Sequence, residues 1–243
     1  MDHIFILSAA TLAAGFLRGV TGFGFGLAAV PLFSLVVPPL HAVIVIEILQ
    51  IAAAPFDIYQ HHRRIDRKAV GLLCLGTLVG APAGALLATQ LPPDVMRVAI
   101  AALVFVGLFA LLAKVAIPDG RGPALGTGCA AGLLAGLAAM PGPPAVAYFL
   151  GRGADKATSR ASLLIYFSFA AALALLFIEL GSDAISVDLL YIAAASYPAL
   201  LIGTYAGSLL FKRLGDGHYR MAALGIMLIS ALLTGIKGLN GLL

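Results

Sequence analysis

Long apolar segments run through the whole chain and constrain its fold more than any other feature. Hydrophobic residues occupy 61 % of the 243 positions and charged residues only 11 %. The apolar segments are about 20 residues or longer, which is the length a helix needs to cross the roughly 30 Å hydrocarbon core of a bilayer. The sequence therefore predicts an all-α, polytopic membrane protein, and no soluble domain of useful size remains.

Eight such segments can be delimited from hydropathy and from their charged boundaries. They comprise residues 4–37, 41–60, 69–90, 95–117, 123–150, 159–180, 187–211 and 219–239. If every segment crossed once, the basic loops would lie on both sides of the membrane, contrary to the positive-inside rule. The conflict disappears if the first and fifth segments, which are rich in glycine and proline, are re-entrant hairpins of two half-helices. The basic loops near residues 63–68, 114–121, 152–160 and 212–220 then face the cytoplasm, and Arg97 and Lys237 stay outside.

The two halves of the chain are also related in sequence. Residues 14–19 parallel residues 131–136, and residues 78–87 parallel residues 201–210. Each half, 1–117 and 118–243, has one hairpin followed by three crossings, so the second half enters the membrane inverted. The sequence therefore predicts an inverted repeat, the plan of many secondary transporters. Close helix packing is predicted separately from the four-residue spacing of three glycine sets. Those sets are Gly76, Gly80 and Gly84; Gly128, Gly132 and Gly136; and Gly203 and Gly207.

Arg18 lies inside the glycine-rich part of the first segment. A charge at bilayer depth costs roughly 2.5 to 3.5 kcal/mol, so an intramembrane arginine indicates a functional site. The second half-helix of each hairpin is predicted to begin near the midplane, at about Gly22 and about Gly142, with its N-terminal amides facing an anion. The residues predicted to bind the anion are Arg18, Gly19, Thr21, Gly22, Gly24, Gly26, Gly136, Gly142, Ser159 and Tyr166. The alternatives are a buried ion pair between Arg18 and Glu47, or an Arg18 side chain that snorkels along its hairpin.

Two acidic residues of the second segment are candidates for carrying a coupling proton. Glu47 lies well inside the segment and Asp57 lies near its cytoplasmic end. Their structural alternatives are a partner for Arg18 and an interfacial residue, respectively. Cys74 and Cys129 have no metal-ligand spacing and are interpreted as packing residues. We expect no metal and no cofactor. The pI of about 9.2 reflects the basic loops and does not indicate a nucleic-acid partner.

Several motifs resemble those of the TauE/SafE family of sulfite and organosulfonate exporters. Residues 14–32 read AGFLRGVTGFGFGLAAVPL, and further matches cover residues 38–43, 132–136, 141–143 and 156–159. The resemblance spans nearly the whole chain. It implies a multi-pass protein of the bacterial inner membrane that transports small sulfur-containing anions such as sulfite, sulfonates or sulfoacetate.

The function predicted from these features is secondary transport of a small sulfur-containing or carboxylic anion, as an exporter, by alternating access around a midplane site. The alternative is an anion channel in which two opposed re-entrant loops frame a selectivity filter. No His-Glu-x-x-His or Gly-x-Ser-x-Gly pattern occurs, so an enzyme is not predicted. The expected partners are the anion, the lipid bilayer and a coupling ion, and a homo-oligomer is left open.

Overall fold

The structure, a computed structural model, describes the backbone of residues 2–213 and 218–242 and the side chains of residues 4–60, 62–210 and 227–242. Every regular element within these ranges is helical. In chain order the helices are α1 (Asp2–Thr21), α2 (Phe25–Ser34), α3 (Pro39–His61), α4 (Arg67–Gln90), α5 (Pro93–Leu112), α6 (Arg121–Ala138), α7 (Gly142–Gly151), α8 (Lys156–Ser182), α9 (Val187–Arg213) and α10 (His218–Leu242). A short 3₁₀ turn, His62–Arg64, precedes α4.

Six of the described helices are long and apolar enough to cross a membrane. These stretches are Ile4–Thr21, Pro39–Gln60, Arg67–Gln90, Pro93–Leu112, Lys156–Ser182 and Val187–Leu210. The prediction of an all-α polytopic membrane protein is confirmed. The inverted relation between residues 1–117 and 118–243 stays a prediction. The side chains of Lys212, Arg213 and Arg220, which belong to the last predicted basic loop, lie outside the described residues.

Both segments predicted to be interrupted are broken into two helices. The first break lies between α1 and α2, where Gly22 and Gly24 have φ angles of 80° and 86°. Only glycine adopts such angles without strain, which explains why the helix ends here. The second break lies between α6 and α7, and Ala139 there has a φ of 52°. α2 begins at Phe25, a little later than the predicted Gly22, whereas α7 begins at Gly142 as expected.

The predicted helix over residues 95–117 is too long at its C-terminal end, because α5 stops at Leu112. The stretch after it remains apolar, which is why hydropathy extended the helix. Beyond the end of α5, the Ile117 N–H makes a tertiary hydrogen bond of 2.9 Å to the Ala147 carbonyl of α7. The other predicted boundaries agree with the observed ones within three residues.

The helices form two compact units. Unit 1 comprises the described residues within 1–49, 91–108 and 185–243. In it α1 packs along α9, and α2 contacts both α1 and α10. The α1–α9 contact is backbone to backbone, because a Cβ at Gly19 would overlap the Thr204 carbonyl and one at Gly207 would overlap the Phe16 carbonyl. Small residues in this register permit that approach.

Unit 2 comprises residues 50–90 and 109–184. Its centre is the pair α4–α6, with α8 packed on both helices and on α7. Gly76, Gly80 and Gly84 of α4 face the backbone of α6, and Gly128, Gly132 and Gly136 of α6 face the backbone of α4. The predicted role of these glycines in close helix packing is confirmed.

Candidate functional site

The break between α1 and α2 follows a buried arginine and precedes a helix start. Arg18 lies in the last turn of α1 and is only 5 % exposed. Its carbonyl accepts a hydrogen bond of 2.8 Å from the Gly22 N–H, which closes the end of the helix. Three residues further on, α2 begins at Phe25 with Gly24 as its N-cap and no side-chain cap. The buried arginine and the start of α2 are therefore close together in the chain, on either side of the break.

Thr21, predicted to bind the anion, has its hydroxyl within the turn itself. The oxygen lies 2.6 Å from the Phe23 carbonyl and 2.9 Å from the Leu17 carbonyl, and it accepts from the Phe23 N–H at 3.2 Å. A hydroxyl has one hydrogen, so these backbone carbonyls compete for it. The structure thus gives Thr21 a role in shaping the break.

The two broken segments differ in how many amides they offer. An α-helix leaves its first N–H groups without intrahelical partners. The first turn of α2 contains Phe25, Gly26 and Leu27, all of which carry an N–H and all of which are buried. The first turn of α7 contains Pro143 and Pro144, which carry none. The start of α2 is therefore the richer donor for an anion.

Two of the predicted ligand glycines have a different physical reason for being glycine. A Cβ at Gly19 would overlap the Thr204 carbonyl of α9, and a Cβ at Gly136 would crowd the Ala81 carbonyl and Ala85 amide of α4. Close helix packing accounts for both. Gly142 differs, because the atom nearest to its hypothetical Cβ is a Phe167 ring carbon 3.9 Å away.

The remaining predicted contacts of the second half lie on α8. The Tyr166 side chain is fully buried, and its hydroxyl lies 2.8 Å from the Thr77 hydroxyl, whose oxygen is also 2.9 Å from the Leu73 carbonyl and 3.1 Å from the Gly128 carbonyl. Ser159 is half-buried in the first turn of α8, and its hydroxyl donates to the Ala154 carbonyl at 3.4 Å. Both hydroxyls therefore bond to protein groups in this structure.

The candidate coupling residues are both buried in α3. Glu47 has no exposed surface and belongs to unit 1, together with Arg18. Asp57 is 1 % exposed and belongs to unit 2. Among the residues whose side chains are described, no three His, Cys, Asp or Glu residues are grouped so that they could hold a metal ion.

A charge network at the C-terminal end of α7 was not predicted from the sequence. Arg152 donates to an Asp66 oxygen at 2.8 Å and also pairs with Asp119, while its guanidinium carbon lies 5.7 Å from the centroid of the Tyr148 ring. The backbone N–H of Asp66 in turn donates to the Ser162 hydroxyl of α8 at 2.9 Å. The network ties the loops before α4 and α6 to the end of α7. The partners are separated by 33 and 86 residues, so only the basic loop around Arg152 was visible in the sequence.

The same network sets the ionisation of its exposed carboxylate. Desolvation opposes the shift, but hydrogen bonds from the Tyr148 hydroxyl and the Gly120 N–H, together with the positive charge of Arg152, lower the pKa of Asp119. Asp119 therefore stays ionised as the partner of Arg152 at neutral pH.

Comparison with protein-family models matches residues 7–234 to one family, described as sulfite exporter TauE/SafE. The chain belongs to the TauE/SafE family. The six long apolar helices found among the described residues make this TauE/SafE member a multi-pass membrane protein of a transporter family. Comparisons with curated proteins and with solved structures find no match.

Proposed function

We propose that this protein is a secondary transporter that exports a small sulfur oxyanion, such as sulfite, a sulfonate or sulfoacetate, across the bacterial inner membrane. The anion binds at the break between α1 and α2. The observation that carries the proposal is the burial of Arg18 within a few residues of the start of α2.

The chemistry of this turn suits a sulfur oxyanion. A guanidinium presents planar paired donors that match two oxygens of a sulfite or sulfonate group. The amides of Phe25, Gly26 and Leu27 add donors and the positive end of the α2 dipole. Glycine at position 24 has a φ of 86°, which only glycine adopts without strain, so it sets the turn from which these amides start. These groups supply charge and directed hydrogen bonds in surroundings from which water is largely excluded, where each counts for more.

Coupling is assigned to Glu47. A carboxyl group that is completely buried in the same unit as Arg18 is suited to take up and release a proton while the anion moves. Alternating access, the second part of the mechanism, is supported by the inverted repeat that the sequence predicts for residues 1–117 and 118–243.

The test is uptake of radiolabelled sulfite into proteoliposomes by wild type and by Arg18→Gln. Loss of a charge-assisted contact costs about 1.5 to 3 kcal/mol, so we expect sulfite flux to fall about 10- to 100-fold. Arg63→Gln is the matched control, because Arg63 is exposed outside the spans and its loss should leave flux within twofold of wild type. Glu47→Gln should abolish the stimulation of flux by a pH gradient and retain exchange of sulfite for sulfite.

Four results would count against the proposal. Wild-type flux of sulfite and of sulfonates no greater than in empty liposomes would refute the transport function. Unchanged flux in a folded Arg18→Gln protein would remove Arg18 from the site. Stimulation by a pH gradient that survives Glu47→Gln would remove Glu47 from coupling. Flux that rises linearly with sulfite concentration and does not depend on the pH gradient would favour the anion channel.

A further inference from the structure

The C-terminal end of α2 is held by two cations from other helices. Arg97 of α5 donates through Nε to the Ser34 carbonyl at 3.2 Å, and Lys237 of α10 donates through Nζ to the Leu35 carbonyl at 2.7 Å. Arg97 is fixed in turn by an ion pair with Asp94 at 2.6 Å. All of these residues belong to unit 1. The negative end of the α2 dipole is thus compensated by positive charge.

The contact with α10 follows α2 along its whole length. Near the start of α2, the Met227 side chain lies beside Gly24, so close that a Cβ there would be 2.9 Å from Met227 Cε. About two turns further along both helices, the Thr234 hydroxyl donates to the Pro31 carbonyl at 2.9 Å. Lys237 completes the row at Leu35. The contacts advance in the same order on both helices, so α10 runs parallel to α2 and supports it from one end to the other.

The helix α5 approaches α10 at the position of the cations. Gly238 of α10 leaves space there, since a Cβ at this position would lie 2.9 Å from the Arg97 Cβ and 2.9 Å from the Asp94 carbonyl. The two cations therefore come from helices that pack against each other, and they contact consecutive carbonyls of α2. This arrangement fixes both the depth and the rotation of a helix only ten residues long.

We propose that Arg97 and Lys237 are positioning residues for the anion site, which they serve by holding α2 so that its N-terminal amides stay beside Arg18. The inference rests on the proposed function. It also explains why two basic residues are found on the predicted outer side, where the positive-inside rule disfavours them. They do not set topology there; they stabilise the carbonyl end of the half-helix whose other end faces the anion.

The test compares charge-removing and charge-keeping variants in proteoliposomes. Lys237→Gln and Arg97→Gln should raise the half-saturating sulfite concentration about three- to tenfold, as expected for weakening one helix-terminus interaction, with the maximal rate changed less than twofold. Lys237→Arg and Arg97→Lys should restore values within twofold of wild type, because the donor and the charge remain. Lys68→Gln removes an exposed charge elsewhere and should have no effect.

Hydrogen–deuterium exchange gives a second readout that needs no anion. Amides of residues 22–35 should exchange faster in Lys237→Gln than in wild type, whereas the exchange rates of amides in α4 and α6 should be unchanged. If a charge variant does not fold, Thr234→Val removes the hydroxyl at the Pro31 carbonyl without altering charge and should raise the half-saturating concentration in the same direction.

Some outcomes refute the inference and spare the proposed function. They are a half-saturating concentration unchanged in the folded Gln variants, a loss of maximal rate alone, and no rescue by the charge-keeping variants. Absence of wild-type sulfite transport instead refutes the proposed function. The hydrogen–deuterium exchange of the amides of residues 22–35 then still decides whether the two cations hold α2.

Discussion

Gly80→Ala tests the claim that glycines hold α4 and α6 together. Gly80 faces the backbone of α6, where an added Cβ would overlap the Cys129 carbonyl and lie 2.8 Å from the Leu133 nitrogen. Both neighbours are backbone atoms, so no side chain can rotate away. The matched control is Gly71→Ala on the same helix, because no heavy atom lies within 4 Å of a Cβ at Gly71.

Gly80→Ala should lower the free energy of unfolding, whereas Gly71→Ala should leave it unchanged or raise it. Overpacking costs typically about 1 to 3 kcal/mol, and Gly80→Ala belongs at the upper end because α4 and α6 must separate along the whole glycine row. Gly71→Ala should be neutral or stabilising, by about 1 kcal/mol at most, because alanine favours helix over glycine. For a chain of this size about 3 kcal/mol corresponds to a fall in Tm of roughly 6 to 12 °C.

The chain supplies its own reporters for this measurement. It contains no tryptophan, but Cys74 of α4 and Cys129 of α6 are partly buried free thiols. A maleimide dye that fluoresces on reaction with thiols therefore follows thermal opening of the α4–α6 pair in detergent, and helical circular dichroism serves as an independent probe. A Gly80→Ala protein that melts at or above the wild-type temperature would refute the packing argument, as would an equal loss in Gly71→Ala.

Two further predictions concern the charge network at the end of α7. Arg152→Gln should destabilise the protein by about 2 kcal/mol, between the values for exposed and buried ion pairs, and Arg63→Gln by less than about 0.5 kcal/mol. A double-mutant cycle of Arg152→Gln with Asp66→Asn should give a coupling energy of at least about 0.5 kcal/mol; strict additivity would mean that the 2.8 Å contact does not contribute to stability. Because the pKa of Asp119 is lowered in the folded state, its stabilising effect is complete above the ordinary aspartate pKa near 4 and is lost as pH falls through the lowered folded pKa. Thermal melts from pH 6 to pH 3 should therefore show a steeper loss in wild type than in Asp119→Asn, and parallel curves would contradict the assignment.

The sequence allowed prediction of features that depend on local chemistry. Gly22 and Gly24 end α1 because only glycine tolerates their backbone angles, and a run of prolines at 141, 143 and 144 marks the second break. Glycines four residues apart marked the helix faces that pack most closely. The TauE/SafE family was also recognisable from the residues around the first break.

Features that depend on distant partners left no local signal. Arg97 and Ser34 are 63 residues apart, and Lys237 and Leu35 are 202 residues apart. The positive-inside rule could therefore place the two cations on the outer side of the membrane but could not predict their contacts with α2. The end of α5 at Leu112 was missed because the residues after it stay largely apolar, although Lys114 there adopts a φ of 50° and Ile117 bonds to α7. Gly19 looked like a ligand position in the sequence, and only the neighbouring Thr204 carbonyl shows its packing role.

The interleaving of the two units has a consequence for synthesis. All of unit 2 lies between residues 50 and 184, so its helices can assemble as soon as that stretch has left the ribosome. Unit 1 needs residues 1–49 and 91–108 together with residues 185–243. The helices α1 and α2, with the break between them and the buried arginine, therefore lack their packing partners until α9 and α10 have been synthesised. During that interval unit 1 is most exposed to misassembly.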